Sequence, residues 1–407
     1  MRLYKGAISH EKLCIHSPNF PDNYWNFCRR LRENGLNVLG IGDCPYDELT
    51  LYLRASLNEY YKVSSQENYD EVYRAVAFFI HKYGRIDYLE SNNEYWLERD
   101  AQLREDFNIS TGFRPADMPP VKFKSKMKER YALAGIPVAR FHLVDDRESC
   151  RAFIDEVGWP VIVKPDNGVG ATKTYRLSSD AELDAFFAER DDTLYIMEEF
   201  IDGTVNSYDA IVNSHGEPIF ETGNVTPKSL MDVVNDNDNS AFYIRSELPE
   251  DMRMRGRAAL KAFGVRSRFV HFEFFRLNSD QHLGRENDVV ALEVNMRPSG
   301  GISPSMMNYA NGTDVYKIWA DMIAFDVSDK GRENHQFCAF AGRRDARNYV
   351  MSREDVLREY AAEIREEGRV DPALATDMGE YMFLACFDTV EQLNDFYRRV
   401  FEERGGE

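Results

Sequence analysis

The sequence predicts a mixed α/β (α+β) fold that begins with a small parallel sheet. Short apolar strands at residues 12–16, 37–41, 60–63 and 86–89 alternate with helical stretches, which is the pattern of parallel strands joined by helices. Later apolar strands end in charged residues or run into glycine-rich turns, which indicates a binding site built at strand ends. Strand-like segments at 336–341 and 381–386 enclose helices, so we expect a small C-terminal α+β unit.

The composition limits the partners and the location of the protein. The chain of 407 residues is long enough for two or three domains, and its net charge of −19 argues against nucleic acid or an anionic membrane as a partner. No stretch approaches a membrane span, and the N-terminus lacks a signal-peptide core. Six cysteines are scattered without a close pair, which predicts reduced thiols, no zinc site and a cytoplasmic protein.

The segment 290–301 carries the strongest candidate for a functional site. It is an apolar strand that ends in Glu293, Asn295 and Arg297, and alternate residues of a strand point to the same face. Carboxylate and amide oxygens suit Mg²⁺ and a guanidinium binds phosphate oxygens, so the pattern favours a metal ion that holds a polyphosphate. Glu273, in an apolar strand just upstream, is costly to bury unless it is paired or binds metal. The alternative is a strand-end ion pair between Glu293 and Arg297, with Glu273 in solvent.

A glycine-rich turn far upstream also has the features of a phosphate-binding segment. The apolar strand before the turn ends in Lys164, and residues 166–174 follow, with Gly168 and Gly170 letting the backbone approach phosphate oxygens. Tyr175 begins another strand, so we expect a hairpin flap over a nucleotide and not a loop that opens into a helix. The alternative is an ordinary glycine-rich turn beside a surface lysine.

Two further segments complete the set. Residues 194–203 form a strand, an acidic pair and a turn, and such an extended segment can pair its backbone with a purine edge. Lys124 begins a basic helix that Gly135 and Pro137 stop. Most of this helix is predicted to be solvated, and three residues at helical spacing are predicted to face the core: Met127, Tyr131 and Ala134.

These four elements, in this order, resemble the ATP-grasp superfamily over residues 120–325. The resemblance implies that ATP binds between the flap and a metal-bearing half, with one or two Mg²⁺ ions or with Mn²⁺ in their place. It implies metal ligands at Glu273, Glu293 and Asn295. It implies ATP contacts at Lys124, Lys164, Gly168, Gly170, Thr172, Lys173, Glu198, Glu199 and Ile201. It implies that Lys164 and Arg297 are catalytic, and that the substrate contacts Arg297, Ser299, Gly300 and Gly301.

Three departures from the family pattern bear on the chemistry. Gly203 ends the segment that resembles the adenine hinge of the family. Two positions later, where the family has an acid for the ribose hydroxyls, the chain has Val205, followed by Asn206. Phe123 replaces an acid that often precedes the first lysine. The segment 298–301, Pro-Ser-Gly-Gly, is unlike the branches that activate bicarbonate and is more similar to ligases that join a carboxylate to an amine.

The resemblance therefore implies an ATP-dependent carboxylate–amine ligase. A substrate carboxylate would attack the γ-phosphate to give an acylphosphate, and an amine would then displace phosphate. The expected partners are small molecules, without nucleic acid or membrane, and the sequence is compatible with a homodimer. Two rivals share the motifs: a kinase that stops at the phosphorylated product, and a non-catalytic nucleotide sensor.

The predicted domains follow from the same motifs. Residues 1–110 would form the N-terminal α/β domain that precedes the ATP-grasp region, and 111–196 the linker, basic helix and flap subdomain. Residues 197–330 would form the metal-carrying half, and 331–407 the C-terminal α+β unit.

Overall fold

The computed structural model describes residues 11–168, 173–228, 233 and 237–404. The first strands are β1 Lys12–His16, β2 Asn37–Gly42, β3 Glu59–Lys62 and β4 Tyr88–Glu90. The helices among and after them are α1 Trp25–Glu33, α2 Leu51–Ser56, α3 Tyr69–Tyr83 and α4 Leu97–Asp106. The strands are parallel in the order β3-β2-β1-β4, which confirms the parallel sheet predicted from the alternation of strands and helices.

Alternate residues of the central strands face two separate cores. Leu13 and Val38 pack in a core that also holds Trp319, whereas Cys14 and Leu39 pack in a second core. The strands therefore read as continuous apolar runs, because helices cover both faces of a parallel sheet. The chain moves from β1 out to β3 and then crosses to β4 on the other side of β1. In such sheets the crevice at the carboxyl ends of the two strands that flank this reversal is the usual ligand site.

A small subdomain follows two linker helices, α5 Pro119–Lys122 and α6 Lys124–Leu133. Its elements are β5 Phe141–Leu143, α7 Arg147–Val157, β6 Val161–Pro165, β7 Tyr175–Leu177, α8 Asp180–Glu189 and β8 Tyr195–Glu199. The strands form an antiparallel sheet in the order β5-β8-β6-β7 over a core of their own. The hairpin predicted around the glycine-rich turn is confirmed, because β7 pairs antiparallel with β6.

The rest of the chain builds one large antiparallel sheet. Its strands are β9 Gly203–Val212, β10 Pro218–Thr222, β11 Asn224–Thr226, β12 Ser240–Ile244, β13 Arg268–Leu277, β14 Val289–Asn295, β15 Phe337–Arg343, β16 Ile364–Arg369 and β17 Tyr381–Phe387. The helices are α9 Glu250–Ala262, α10 Ser303–Asn311, α11 Val315–Phe325, α12 Arg353–Glu359, α13 Ala375–Met378 and α14 Val390–Val400. The strand order is β14-β13-β9-β11-β12-β15-β17-β16, with β10 paired to β9. The C-terminal strands thus continue the sheet that carries Glu273 and Glu293, and do not form a sheet of their own.

Two further features bear on the sequence predictions. No helix among the described residues is long and apolar enough to cross a membrane. In the small subdomain, His142, Asp145 and Cys150 place potential metal ligands within 4.8 Å of one another. Burial raises the pKa of the Cys150 thiol to about 11.

Candidate active site

A cleft of about 490 Å³ lies between the small subdomain and the large sheet. Most of the residues singled out from the sequence line it: Lys124, Lys164, Glu198, Glu199, Ile201, Glu273, Glu293, Asn295 and Arg297. The structure therefore brings together side chains that are up to 173 positions apart along the chain, from Lys124 to Arg297.

Two carboxylates face each other across the pair of strands at one wall of the cleft. Glu273 on β13 lies directly opposite Glu293 on β14, and about a quarter of each side chain is exposed. Like charges at opposed positions destabilise a sheet unless a cation lies between or beside them. Asn295 lies next to them and donates from Nδ2 to Glu293 Oε1 at 3.4 Å, so its amide joins the same group. Two carboxylates and an amide oxygen are the donor set that a hard cation such as Mg²⁺ prefers, so these residues fit the metal that the fold implies.

A bulge helps to build this wall. The register between β13 and β14 shifts after Glu273, where Phe274 pairs with Ala291 and Leu292 is passed over. Leu292 and Glu293 both line the cleft as a result, although neighbours on a regular strand point to opposite faces.

A buried chain of polar side chains holds Glu273 in place. Glu273 Oε1 lies 3.1 Å from His271 Nε2, and His271 Nδ1 lies 2.7 Å from Asp209 Oδ1. Ser207 donates its hydroxyl to the other oxygen of Asp209. Burial acts to lower the pKa of His271, but the charges and hydrogen bonds of Asp209 and Glu273 outweigh it and raise the pKa to about 9. Partners of this kind fix the orientation of a metal-binding carboxylate.

Three lysines lie close to the acidic groups of this region, two of them at Glu198 and the third at Glu293. Lys164 Nζ is 3.0 Å from Glu198 Oε2, and Lys128 Nζ is 3.0 Å from Oε1, close enough for an ion pair although not aligned as a hydrogen bond. Burial acts to raise the pKa of Glu198, but the two lysines lower it to about 2. Lys124 Nζ lies 3.5 Å from Glu293 Oε2 and donates to the carbonyl of Gly168 at 3.3 Å.

The position of Lys128 corrects the prediction that most of the basic helix is solvated. Lys128 is 1% exposed, and burial lowers its pKa. Met127 and Tyr131 are buried as predicted, and Ala134 packs beside the same core. The N-terminus of the helix is capped by Asp166, the residue that follows β6. Its carboxylate accepts a hydrogen bond from the backbone N–H of Ser125 at 2.7 Å and another from the Ser125 hydroxyl at 2.8 Å.

Arg297 lies two residues past the end of β14, close to the loop after β4. Its Nη1 donates to the carbonyl of Pro298 at 2.8 Å, and its Nε lies 4.0 Å from Glu94 Oε2. The turn that follows is anchored by Asn23, which donates from Nδ2 to the carbonyl of Gly301 at 3.2 Å. Gly301 has φ = +58°, a conformation that favours glycine, while Gly300 lies in open space and Ser299 is buried.

A buried ion network fixes the end of the same strand. Arg268 donates from Nη1 to the carbonyl of Met296 at 2.6 Å, between the predicted metal ligand Asn295 and Arg297. Its Nη2 contacts Glu90 Oε2 at 2.6 Å, and Arg104 contacts the same oxygen at 3.0 Å. Glu90 ends β4, so the parallel sheet and the end of β14 are joined through buried charges.

Several predicted site residues are engaged elsewhere or are not described. The carboxylate of Glu199 accepts from Arg140 at 2.6 Å, and the Lys173 ammonium pairs with Asp191, so that Lys173 does not line the cleft. Val205 faces the cleft, whereas the side chain of Asn206 is buried and accepts from Arg245. Two predicted ATP contacts lie outside the described residues: Gly170 and Thr172.

Sequence reasoning missed other residues of the cleft. Arg176 lines it from β7, with its guanidinium 4.6 Å from the centre of the Phe200 ring. Thr226 lines it from the end of β11, and Lys228 from the segment that follows. Alternation through the start of β7 was an available signal, because it places Thr174, just before the strand, on the same face as Arg176.

Comparisons with known proteins agree with this architecture. No model of a known protein family matches the chain. An L-arginine-specific L-amino acid ligase of Bacillus subtilis is 25% identical over 240 residues, and the chain spans about half the length of this relative, 56% of each protein. The crystal structure of an L-amino acid ligase from Bacillus licheniformis matches with a TM-score of 0.70 at 16% identity, over 96% of this chain and 97% of that one.

A third match holds nucleotide and metal. The biotin carboxylase domain dimer of the Hydrogenobacter thermophilus 2-oxoglutarate carboxylase, solved with MgADP, ADP and bicarbonate, matches with a TM-score of 0.67 at 14% identity, over 98% of this chain and 92% of that one. Likenesses of this kind establish a shared fold, and they confirm the fold class predicted from the sequence.

Proposed function

We propose that this chain, which has the ATP-grasp fold, is an ATP-dependent ligase that joins the carboxylate of one small molecule to the amine of another. The observation that carries the proposal is the convergence of Glu273, Glu293 and Asn295 with Lys164 and Arg297 in one cleft. Oxygen atoms that can bind a metal ion lie in the same cleft as cations that can bind a phosphoryl group. Acyl transfer through an acylphosphate requires that the substrates be positioned and their charge stabilised, and it requires no nucleophilic side chain.

Each group in the cleft has a role in the proposed reaction. Glu273, Glu293 and Asn295 would hold one or two Mg²⁺ ions, or Mn²⁺, and the bound ion neutralises phosphate charge. Lys124 and Lys164 would bind the ATP phosphates. Arg297 would stabilise the transferring phosphoryl group and the acyl oxyanion, with the turn from Ser299 through Gly300 to Gly301 around the substrate. The MgADP complex of the structurally similar biotin carboxylase domain supports the nucleotide and the ion.

The remaining nucleotide contacts are proposed from the sequence pattern. Gly168 and Gly170, with Thr172 and Lys173, would contribute to the flap over the phosphates. The hinge residues Glu198, Glu199 and Ile201 would face the purine through their backbone, since the first two carboxylates are held by Lys128, Lys164 and Arg140.

The relatives indicate which substrates to test first. Two of the matched proteins are ligases of L-amino acids. We therefore take amino acids as the first class of candidate for both the carboxylate and the amine. A homodimer is proposed as the assembly, because the matched biotin carboxylase domain is a dimer.

The experiment is a product analysis with a panel of amino acids, ATP and Mg²⁺. ADP and phosphate released together with an amide product, identified by mass spectrometry, are expected for the ligase. A stable phosphorylated product without amide would identify the kinase instead, and ATP binding without turnover for any substrate would identify a sensor. Glu293→Gln serves as the inactive control, because it keeps the side-chain shape and removes the charge.

A further inference from the structure

One buried carboxylate close to Arg297 has an oxygen that accepts no hydrogen bond from the described part of the chain. Glu94 lies in the loop after β4 and is 6% exposed. Its Oε1 accepts from Lys122 Nζ at 2.8 Å, whereas its Oε2 has no hydrogen-bond partner among the described residues. A buried carboxylate oxygen without a donor destabilises a protein, so a ligand that donates a hydrogen bond to this oxygen would be bound favourably.

The position of Glu94 points to a substrate. The residue follows the carboxyl end of β4, next to β1, where the strand order of the parallel sheet reverses and ligands usually bind. Other side-chain oxygens in the loops after these parallel strands are also buried without a described donor: Asn19 Oδ1, Asn23 Oδ1 and Gln66 Oε1. Because these atoms are acceptors, this edge of the sheet suits a ligand that is rich in N–H donors.

The neighbour of the free oxygen defines the ligand further. Arg297 Nε lies 4.0 Å from Glu94 Oε2, so a guanidinium and a carboxylate stand side by side where the cleft meets the N-terminal domain. An amino acid carries the complementary pair, a carboxylate and an ammonium separated by one carbon atom. Lys122 Nζ holds the other oxygen of Glu94 at 2.8 Å, which fixes the side chain with Oε2 on the side of Arg297.

We propose that Glu94 Oε2 binds the ammonium group of the substrate whose carboxylate is phosphorylated, and that this substrate is therefore an α-amino acid. The inference rests on the proposed ligase function and assigns a specificity-determining residue to it. Arg297 Nε lies 4.0 Å from Oε2, while its Nη1 donates to the carbonyl of Pro298 at 2.8 Å and its Nη2 to Asn295 Oδ1 at 3.4 Å. The ammonium reaches Oε2 when the guanidinium turns toward the carboxylate of the same molecule.

The test measures activation of the carboxylate without its natural amine. Hydroxylamine attacks an acylphosphate through its nitrogen, expels phosphate and leaves a hydroxamate, so hydroxamate and ADP report the first half-reaction. Amino acids are compared with the matched 2-hydroxy acids, in which a hydroxyl replaces the ammonium. In the wild-type protein we expect kcat/KM for the amino acid to exceed that for the hydroxy acid by about 10- to 100-fold, the value of a hydrogen bond between charged groups.

The variant Glu94→Gln keeps the shape of the side chain and removes its charge. It should lower kcat/KM for the amino acid by about 10- to 100-fold and leave the hydroxy acid nearly unchanged, with ATP binding intact. Glu98→Gln is the matched control, since Glu98 is exposed on α4 and should not alter either substrate. An equal fall for both substrates would show instead that Glu94 only positions Arg297, and would overturn the proposal.

The wild-type comparison decides the question even if the variant fails to fold. Equal hydroxamate formation from amino and hydroxy acids would overturn the assignment of the ammonium site while leaving the ligase proposal standing. Failure of every carboxylate to yield ADP or hydroxamate would instead count against the proposed function itself.

Discussion

Removal of the Glu90 carboxylate is expected to destabilise the protein and to slow turnover together. Glu90 is 1% exposed, and its Oε2 contacts Arg104 at 3.0 Å and Arg268 at 2.6 Å. Its Oε1 accepts from the backbone N–H groups of Ser91 and Asn92, both at 3.2 Å. In Glu90→Ala, two buried guanidinium groups lose the carboxylate that they share, and the Asn92 N–H loses its acceptor, whereas the Ser91 N–H keeps Asp100 Oδ2 at 2.9 Å.

The magnitude follows from the burial of the pair. Loss of one partner from a buried ion pair costs about 3–5 kcal/mol, because an uncompensated charge stays in the interior. The exposed pair of Arg114 and Glu105, 3.2 Å apart with side chains 35% and 50% exposed, should contribute only about 0–1 kcal/mol. Glu90→Ala should therefore lower the free energy of unfolding by at least about 2 kcal/mol more than Glu105→Ala does.

The assay is urea unfolding of both variants, followed by tryptophan fluorescence and circular dichroism, beside ADP release. Turnover should fall in Glu90→Ala, because Arg268 would no longer be held in place to anchor the Met296 carbonyl between Asn295 and Arg297. If both variants unfold within about 1 kcal/mol of each other and release ADP at the same rate, the network does not hold the strand end and the argument fails.

Three further predictions concern the cleft. Glu293→Gln should abolish ADP release while circular dichroism stays unchanged; a near-wild-type rate at millimolar Mg²⁺ would show that Glu293 is not a metal ligand. Lys164→Met should weaken ATP binding and slow the reaction. Arg297→Met should mainly slow single-turnover ADP formation, several hundredfold, which corresponds to about 3–4 kcal/mol in activation free energy. Loss of ATP affinity alone in Arg297→Met would contradict the role of Arg297 in phosphoryl transfer. Lys128→Met should change stability little, because Glu198 keeps Lys164 as its partner, yet it should weaken ATP binding in calorimetric titration. Unchanged ATP affinity would show that the charge of Lys128 does not contribute to the electrostatic potential at the ATP phosphates.

The sequence was sufficient where a pattern is local. The strand that carries Glu293 and Asn295 on one face could be predicted from alternation, because residues two apart share a face in any strand, although β14 ends at Asn295 and Arg297 lies beyond it. The helix that begins at Lys124 was bounded correctly by its glycine and proline signals, and the structure begins it at the same residue.

The sequence was insufficient where a contact joins distant segments. Nothing around Lys128 distinguishes it from the solvated lysines of its helix, since its burial depends on Glu198, 70 positions away. The register shift between β13 and β14 places Leu292 and Glu293 on the same wall of the cleft. It arises from how the two strands pair, so the sequence of β14 alone does not reveal it. Likewise, the partner strands β12 and β15 are about a hundred residues apart along the chain. No local pattern reveals this pairing, so the sequence predicted a C-terminal unit, whereas its strands extend the large sheet.

The chain connects the small subdomain to the rest at two neighbouring points, which has a mechanical consequence. Arg140 stands at one crossing and Glu199 at the other, and they are joined by a backbone hydrogen bond of 3.0 Å as well as by their side chains. A swing of the subdomain would therefore turn about an axis through this pair. Glu198 lies at the axis and would keep its lysines, whereas the flap end near Gly168 would travel farthest from Lys124 and open the way for nucleotide exchange.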